Sequence, residues 1–160
     1  MRGFPPPEWI SMQKVGSEAF ETMRKGRYDW QHLMLRTKYN FRLFKNPKTV
    51  AWIKQAFAEV EVQFGFHIRE LGFGEDFAHV HVMVEIPPKF SASQAIQIFK
   101  CHSAKVIFRE MPNLCKRYHK GALWSDYRYN GSVGPTTEPA VKRYIQKQDI
   151  QQKSLAEFQG

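Results

Sequence analysis

"AHVHVMVEIPP", residues 78–88, decides the fold. Val80, Val82, Val84 and Ile86 fall on every second residue, the period of a strand with one face turned to a core. The other register carries His79, His81, Met83 and Glu85, so two imidazoles project to the same side. Pro87 and Pro88 end the strand, since proline cannot donate to a ladder.

The flanking segments follow from their own periods. "WQHLMLRTKY" (30–39) sets Leu33, Leu35 and Tyr39 against His32, Arg36 and Lys38, a strand with one apolar and one basic face. Asn46 caps and Pro47 opens a helix in which Val50, Ile53, Phe57, Val60 and Phe64 recur at spacings of three and four, and Gly65 closes it. "FHIRELGF" (66–73) is a second strand. After the quoted strand, "SASQAIQIFKCHSAKVIFREM" (91–111) opens on the Ser91-x-x-Gln94 capping-box pattern and stops before Pro112. "ALWSDYRYNGSVG" (122–134) is a fourth strand. Thr136 or Thr137 then caps a last helix, "EPAVKRYIQKQDIQQ" (138–152).

The order β-α-β-β-α-β plus a C-terminal helix predicts an α+β chain with a ferredoxin-like (RRM-like) sheet. Two crossover helices cover one face of such a sheet. The other face is expected to stay open, with the histidines of 78–88 on it. Residues 1–28, Pro-rich and without clear periodicity, form an extension; 29–152 are the folded domain and 153–160 a tail.

At 160 residues the chain has room for one core. Its formal charge of +9 calls for a polyanionic partner, nucleic acid first and an acidic membrane surface second. No apolar run approaches the ~20 residues of a spanning helix. Pro5, Pro6 and Pro7 stand where a signal peptide needs its apolar stretch, so a cytoplasmic location and no membrane partner are expected. Cys101 and Cys115, even with His102 and His119, lack the tight C-x-x-C pair of a zinc site and are expected to be reduced thiols.

Histidines two apart on a strand can present nitrogens to one divalent ion, or can simply be polar residues on an exposed face. Tyr144 and Gln148, four apart, share a helix face. A tyrosine hydroxyl can act as a nucleophile, and a glutamine amide oxygen is a hard ligand suited to Mg²⁺ or Mn²⁺. Equally, Val141, Tyr144, Ile145 and Gln148 make a helix stripe that would pack against the sheet. Arg36 and Lys38 on the first strand, Lys100 and Lys105 on the second helix, and Lys142, Arg143 and Lys147 around Tyr144 are candidate phosphate contacts. Trp124, Tyr127 and Tyr129 suit either base stacking or a core. Glu85 is an outside candidate for a metal contact.

Taken in order, "HLMLRTKY", "HVHVMVEIPPKFS", "FKCHSAKVIF", "LWSDYRYNGSVG" and "RYIQKQ" resemble the single-tyrosine HUH transposases, the IS200-like enzymes that move small bacterial and archaeal insertion sequences as single-stranded DNA. The resemblance runs from about Trp30 to Gln148. It implies His79 and His81 as metal ligands, Gln148 as the third, Mg²⁺ or Mn²⁺ as the metal and Tyr144 as the nucleophile. Tyr144 would cut single-stranded DNA to leave a 5′-phosphotyrosine and a free 3′-hydroxyl, then rejoin ends without ATP or any nucleotide cofactor. It further implies hairpin DNA at the element ends and a homodimer, the tyrosine helix of one subunit completing the site of the other. One departure stands out: the family commonly places an acid just before the first histidine, where this chain has Ala78, with Asp76 two residues earlier. A non-catalytic nucleic-acid-binding module descended from a transposase is the alternative. A metal-dependent hydrolase of small substrates ranks third, because it leaves Tyr144 and the basic charge unexplained.

Overall fold

Four strands form a fully antiparallel sheet in the order β2-β3-β1-β4. They are β1 (Trp30–Arg36), β2 (His67–Phe73), β3 (His79–Glu85) and β4 (Tyr129–Val133), joined by helices α1 (Pro47–Phe64) and α2 (Ala92–Glu110) and followed by α3 (Glu138–Gln159). This computed structural model describes residues 30–118, 122–127, 129–133 and 138–159, Val133 and the stretch 149–159 by their backbone only. The expected extension 1–28 and the capping candidates Thr136 and Thr137 lie outside the described residues.

Local chemistry sets the helix ends. The Asn46 side chain accepts the Lys48 N–H at 3.0 Å, Pro47 supplies a fixed φ in the first turn, and Gly65 closes α1 at φ +75°. At α2 the capping box is complete: the Gln94 N–H donates to Ser91 Oγ and the Ser91 N–H to Gln94 Oε1.

β3 lies inside the sheet. Leu33 pairs with Val82 and Leu35 with Val80 across β1, and Phe73 with Val80 across β2. This register sends Leu33, Leu35, Val80, Val82 and Val84 down onto Ile53, Phe57 and Val60 of α1 and Ile96, Phe99 and Ile107 of α2, all buried. Such side chains each contribute about 1.5–3 kcal/mol on burial.

The opposite face departs from expectation. It is roofed by α3, whose fully buried Ile145 packs with Trp30, Met83 and Val141. Gly72 on β2 permits this approach: a Cβ there would stand 2.6 Å from the Ile145 carbonyl oxygen. Arg69 reaches Glu138 at 3.0 Å and Lys142 reaches Glu70 at 3.4 Å, fastening the helix along β2. Every residue of β3 is therefore buried, histidines included.

Smaller departures have local causes. β1 ends at Arg36, and Tyr39, assigned above to the apolar register, is 58% exposed in a 3₁₀ turn at φ +60°. Of the described residues in 122–134, only 129–133 are strand; Trp124 instead bridges to Thr37, and its indole N–H donates to Ser103 Oγ at 2.9 Å. α3 continues past residue 152 to Gln159. Among the described residues no helix is long and apolar enough to cross a membrane.

Candidate active site

The turn from β2 into β3 builds one half of the site. Phe77 is fully buried and takes a left-handed φ of +60°; its carbonyl accepts the Phe44 N–H and its own N–H donates to the Gly74 carbonyl. This reversal swings Asp76 back beside the strand. Asp76 Oδ1 accepts the Ala78 N–H at 2.9 Å and the His79 Nδ1–H at 2.7 Å, while Oδ2 accepts from Arg36 at 3.0 Å. Asp76, two residues before Ala78, thus stands against the His79 ring. Gly74 faces the His79 ring so closely that any Cβ would overlap it.

Burial governs the electrostatics. It lowers the basicity of His79, only partly opposed by Asp76. It lowers His81 to about 3, helped by the neighbouring His79 and His32, and it lowers His32 as well. All three rings are neutral at pH 7, each keeping one lone pair. Burial works against ionising Asp76, but the Ala78 N–H, His79 and Arg36 prevail and hold its carboxyl below the ordinary value.

The donor set fits a divalent metal. Asp76 takes the Nδ1 proton of His79 and leaves Nε2 with its lone pair, the usual carboxylate–histidine support of a metal ligand. His81 Nε2 is buried without a hydrogen-bond partner among the described residues, and the two rings stand 4.8 Å apart. Among the described residues no three His, Cys, Asp or Glu side chains converge on one point.

Tyr144 completes what the fold brings together. It is half exposed, its ring edge-on to His81 at 5.3 Å between centroids and to His32 at 6.4 Å. Buried Ile145 beside it fixes the rotation of α3 that aims Tyr144 at the histidines. Gln148 lies one turn further along, partly buried, and no described hydrogen bond links it to them. Glu85 stands at the other end of β3, paired with Trp30 and His67.

The basic candidates divide. Arg36 is committed to Asp76 and Asn40, and Lys142 to Glu70. Lys100 donates to the carbonyls of Ser125 and Tyr127, at 2.8 and 3.1 Å. With Lys105 and Trp124 it lines a cleft of about 370 Å³ between α2 and the 122–126 segment. Arg143 and Lys147 are exposed. Trp124 is buried, whereas Tyr127 and Tyr129 are exposed. Cys101 and Cys115 are free thiols, and His102 bonds to Glu59 at 3.0 Å.

Two residues of the site had not been given a role. His32 Nε2 lies 3.0 Å from His81 Nδ1, and Asp76 supports His79. The even register of β1 held the signal for His32, but only the pairing of β1 with β3 turns it into a neighbour of His81.

The four-stranded antiparallel sheet with helices on both faces has relatives among solved structures. Two solved structures share it: a candidate transposase from Deinococcus radiodurans (TM-score 0.58, 22% identity, 74% of this chain and 89% of that one), and a REP-associated tyrosine transposase bound to a REP hairpin (TM-score 0.54, 9% identity, 73% and 64%). The chain belongs to the IS200-like transposase family, whose model matches residues 29–148. The transposase for insertion sequence element IS200 of Salmonella typhimurium is 30% identical over 70 residues, 44% of this chain and 45% of that protein. The chain thus spans less than half the length of that relative. The ISDra2 transposase TnpA of Deinococcus radiodurans is 25% identical over 130 residues, 79% of this chain and 91% of that one.

Proposed function

We propose that the protein is a DNA transposase that cuts and rejoins single-stranded DNA through Tyr144. The observation that carries this reading is the meeting of Tyr144 with the buried His79–His81 pair, 5.3 Å from the His81 ring. A packing stripe would bury the tyrosine. Here Ile145 does the packing and Tyr144 is left half exposed over two neutral imidazoles.

His79 and His81 would hold the metal, Mg²⁺ or Mn²⁺, through their Nε2 atoms, with Gln148 the remaining candidate ligand. When bound, the metal polarises the scissile phosphate and lessens its repulsion of an anionic nucleophile. Asp76 orients His79 and keeps its Nδ1 protonated. The Tyr144 oxygen attacks phosphorus and the P–O3′ bond breaks, giving a 5′-phosphotyrosine and a 3′-oxygen that takes up the proton. Attack by a second strand's 3′-hydroxyl reverses the step and releases Tyr144. One ester replaces another at each stage, so neither ATP nor another nucleotide is consumed. Arg143 and Lys147, exposed on the same helix, suit phosphate contacts, and Tyr127 and Tyr129 suit base stacking.

The substrate we infer is single-stranded DNA carrying hairpins at the element ends, consistent with the REP hairpin bound by one structural relative. The proposed homodimer with composite sites requires α3 to leave its seat at Gly72 and cross to the partner; within one chain Tyr144 already lies against its own His81.

A covalent-trapping assay tests the proposal. Labelled single strands from the DNA flanking the gene are incubated with protein and Mg²⁺ or Mn²⁺, beside a Tyr144→Phe control. Label that survives denaturation with the wild type alone is expected. Hairpin binding with no adduct in either metal would overturn the enzyme assignment in favour of a binding module.

A further inference from the structure

His32 has no part in the chemistry above, yet it is 9% exposed and in direct contact with a candidate ligand. β1 pairs with β3 so that Met34 stands opposite His81, which puts His32 on the diagonal two residues along the same face. Its Nε2 lies 3.0 Å from His81 Nδ1, the two rings meet end to end with centroids 5.2 Å and planes 28° apart, and Tyr129 closes edge-on over His32 at 5.4 Å. The ring is thus held from two sides in one orientation.

Two neutral imidazoles facing each other nitrogen to nitrogen can share only one proton on that line. If His32 Nε2–H donates, His81 must carry its own proton on Nε2, where no described residue offers an acceptor. That form cannot bind a metal through Nε2. If His81 Nδ1–H donates, His32 Nε2 accepts and His81 Nε2 presents a lone pair.

We propose that His32 is a positioning residue that accepts the His81 Nδ1 proton and thereby fixes His81 in the tautomer whose Nε2 is free to ligate. The inference rests on the assignment of His81 as a ligand and adds to it: each ligand then has its own acceptor, Asp76 for His79 and His32 for His81. One acceptor is anionic and the other neutral, so the two supports are chemically distinct. The neutral one orients its ligand without adding charge to a site that must receive phosphate.

The test begins on the full chain without metal. Long-range ¹⁵N–¹H spectra read which nitrogen of His81 holds the proton. The wild type is expected to show Nδ1–H, and His32→Phe, which keeps a ring but has no acceptor, to show the Nε2–H form that free imidazole side chains prefer. His32→Gln, whose amide oxygen can accept, should restore Nδ1–H. Mn²⁺ titration followed by calorimetry should then find His32→Phe weaker by about 10- to 100-fold and His32→Gln near the wild type. Nε2–H at His81 in the wild type, or unchanged spectra and Mn²⁺ affinity in His32→Phe, would overturn the proposal. If the wild type forms no DNA adduct, the transposase reading fails while the tautomer result still decides the role of His32.

Discussion

Replacing Gly72 by alanine tests whether the seat of α3 sets the reach of Tyr144. A Cβ at residue 72 would lie 2.6 Å from the Ile145 carbonyl oxygen and 2.7 Å from its Cγ2. Ordinary contact requires roughly 3.5 Å, so the helix must lift by about 1 Å. Overpacking of this kind costs about 1–3 kcal/mol, part of which is the loosened contact of Ile145 with Trp30 and Met83. The other core, between the sheet and α1 and α2, is untouched. Urea unfolding should therefore show Gly72→Ala less stable by about 1–3 kcal/mol, and amide exchange should place the extra opening in α3 rather than in β1 or β3. Since a misplacement of about 1 Å can cost on the order of 100-fold in rate, covalent trapping should slow by a similar factor. Stability within about 0.5 kcal/mol of the wild type, with α3 protection unchanged, would refute the reasoning, because it would mean that the helix does not need the missing Cβ.

Other substitutions probe separate parts of the site. Tyr144→Phe should abolish the DNA adduct while changing stability by less than about 0.5 kcal/mol, since the residue is half exposed; a change above 1 kcal/mol in thermal unfolding would assign it to packing. Asp76→Asn should weaken Mn²⁺ binding by about 10- to 100-fold, read by calorimetry, and unchanged affinity would remove Asp76 from the support of His79. Gly74→Ala should displace the His79 ring and lower Mn²⁺ affinity at least as far; a wild-type titration would contradict the close approach at that glycine. In metal-free protein, His32, His67, His79 and His81 all have lowered pKa values in the fold, so the unfolded chain binds more protons below its histidine value near 6.5. Their contribution is present above pH 6.5 and is lost as pH falls, down to about 3 for His81, with a slope of up to about 1.4 kcal/mol per pH unit for each histidine. Urea titrations at pH 7, 6 and 5 should show that decline, and a flat profile would mean that the rings are not buried neutral.

Much of this architecture is legible from local chemistry. The valines of β3, the Asn46–Pro47 and Ser91–Gln94 helix starts and the Gly65 stop each act over a few residues, and each lies where its own energetics demand. The pairing of His79 with His81 follows from strand alternation alone. What escaped local reading depends on long-range register or on an unusual backbone. His32 meets His81 because β1 and β3 align as they do, across 49 residues of sequence. Asp76 reaches His79 because buried Phe77 turns left-handed, a conformation that no periodicity forecasts for phenylalanine. The roof over the histidine face stood only as an alternative reading of the 141–148 stripe, because Val141 and Ile145 offer α3 little apolar surface and the glycine that admits it lies on β2. Trp124 and Lys100 fit a nucleic-acid surface by residue type, but the fold uses both to hold the 122–127 segment against α2.

The pairing of cations within the fold reaches into solution behaviour. Of Arg36, Lys38, Lys100, Lys105, Lys142, Arg143 and Lys147, three already hold protein oxygens: Arg36 on Asp76, Lys100 on two carbonyls and Lys142 on Glu70. Counterions leave a DNA strand only where a cation meets a phosphate, each such contact steepening log affinity against log salt by roughly 0.7 on single strands. Four cations of this group available to phosphate give a slope of roughly −3, where seven would give roughly −5. Counting all seven candidates from the sequence therefore overstates how sharply salt would loosen a bound single strand. What the folded chain gives up in electrostatic reach it would keep as tolerance to ionic strength.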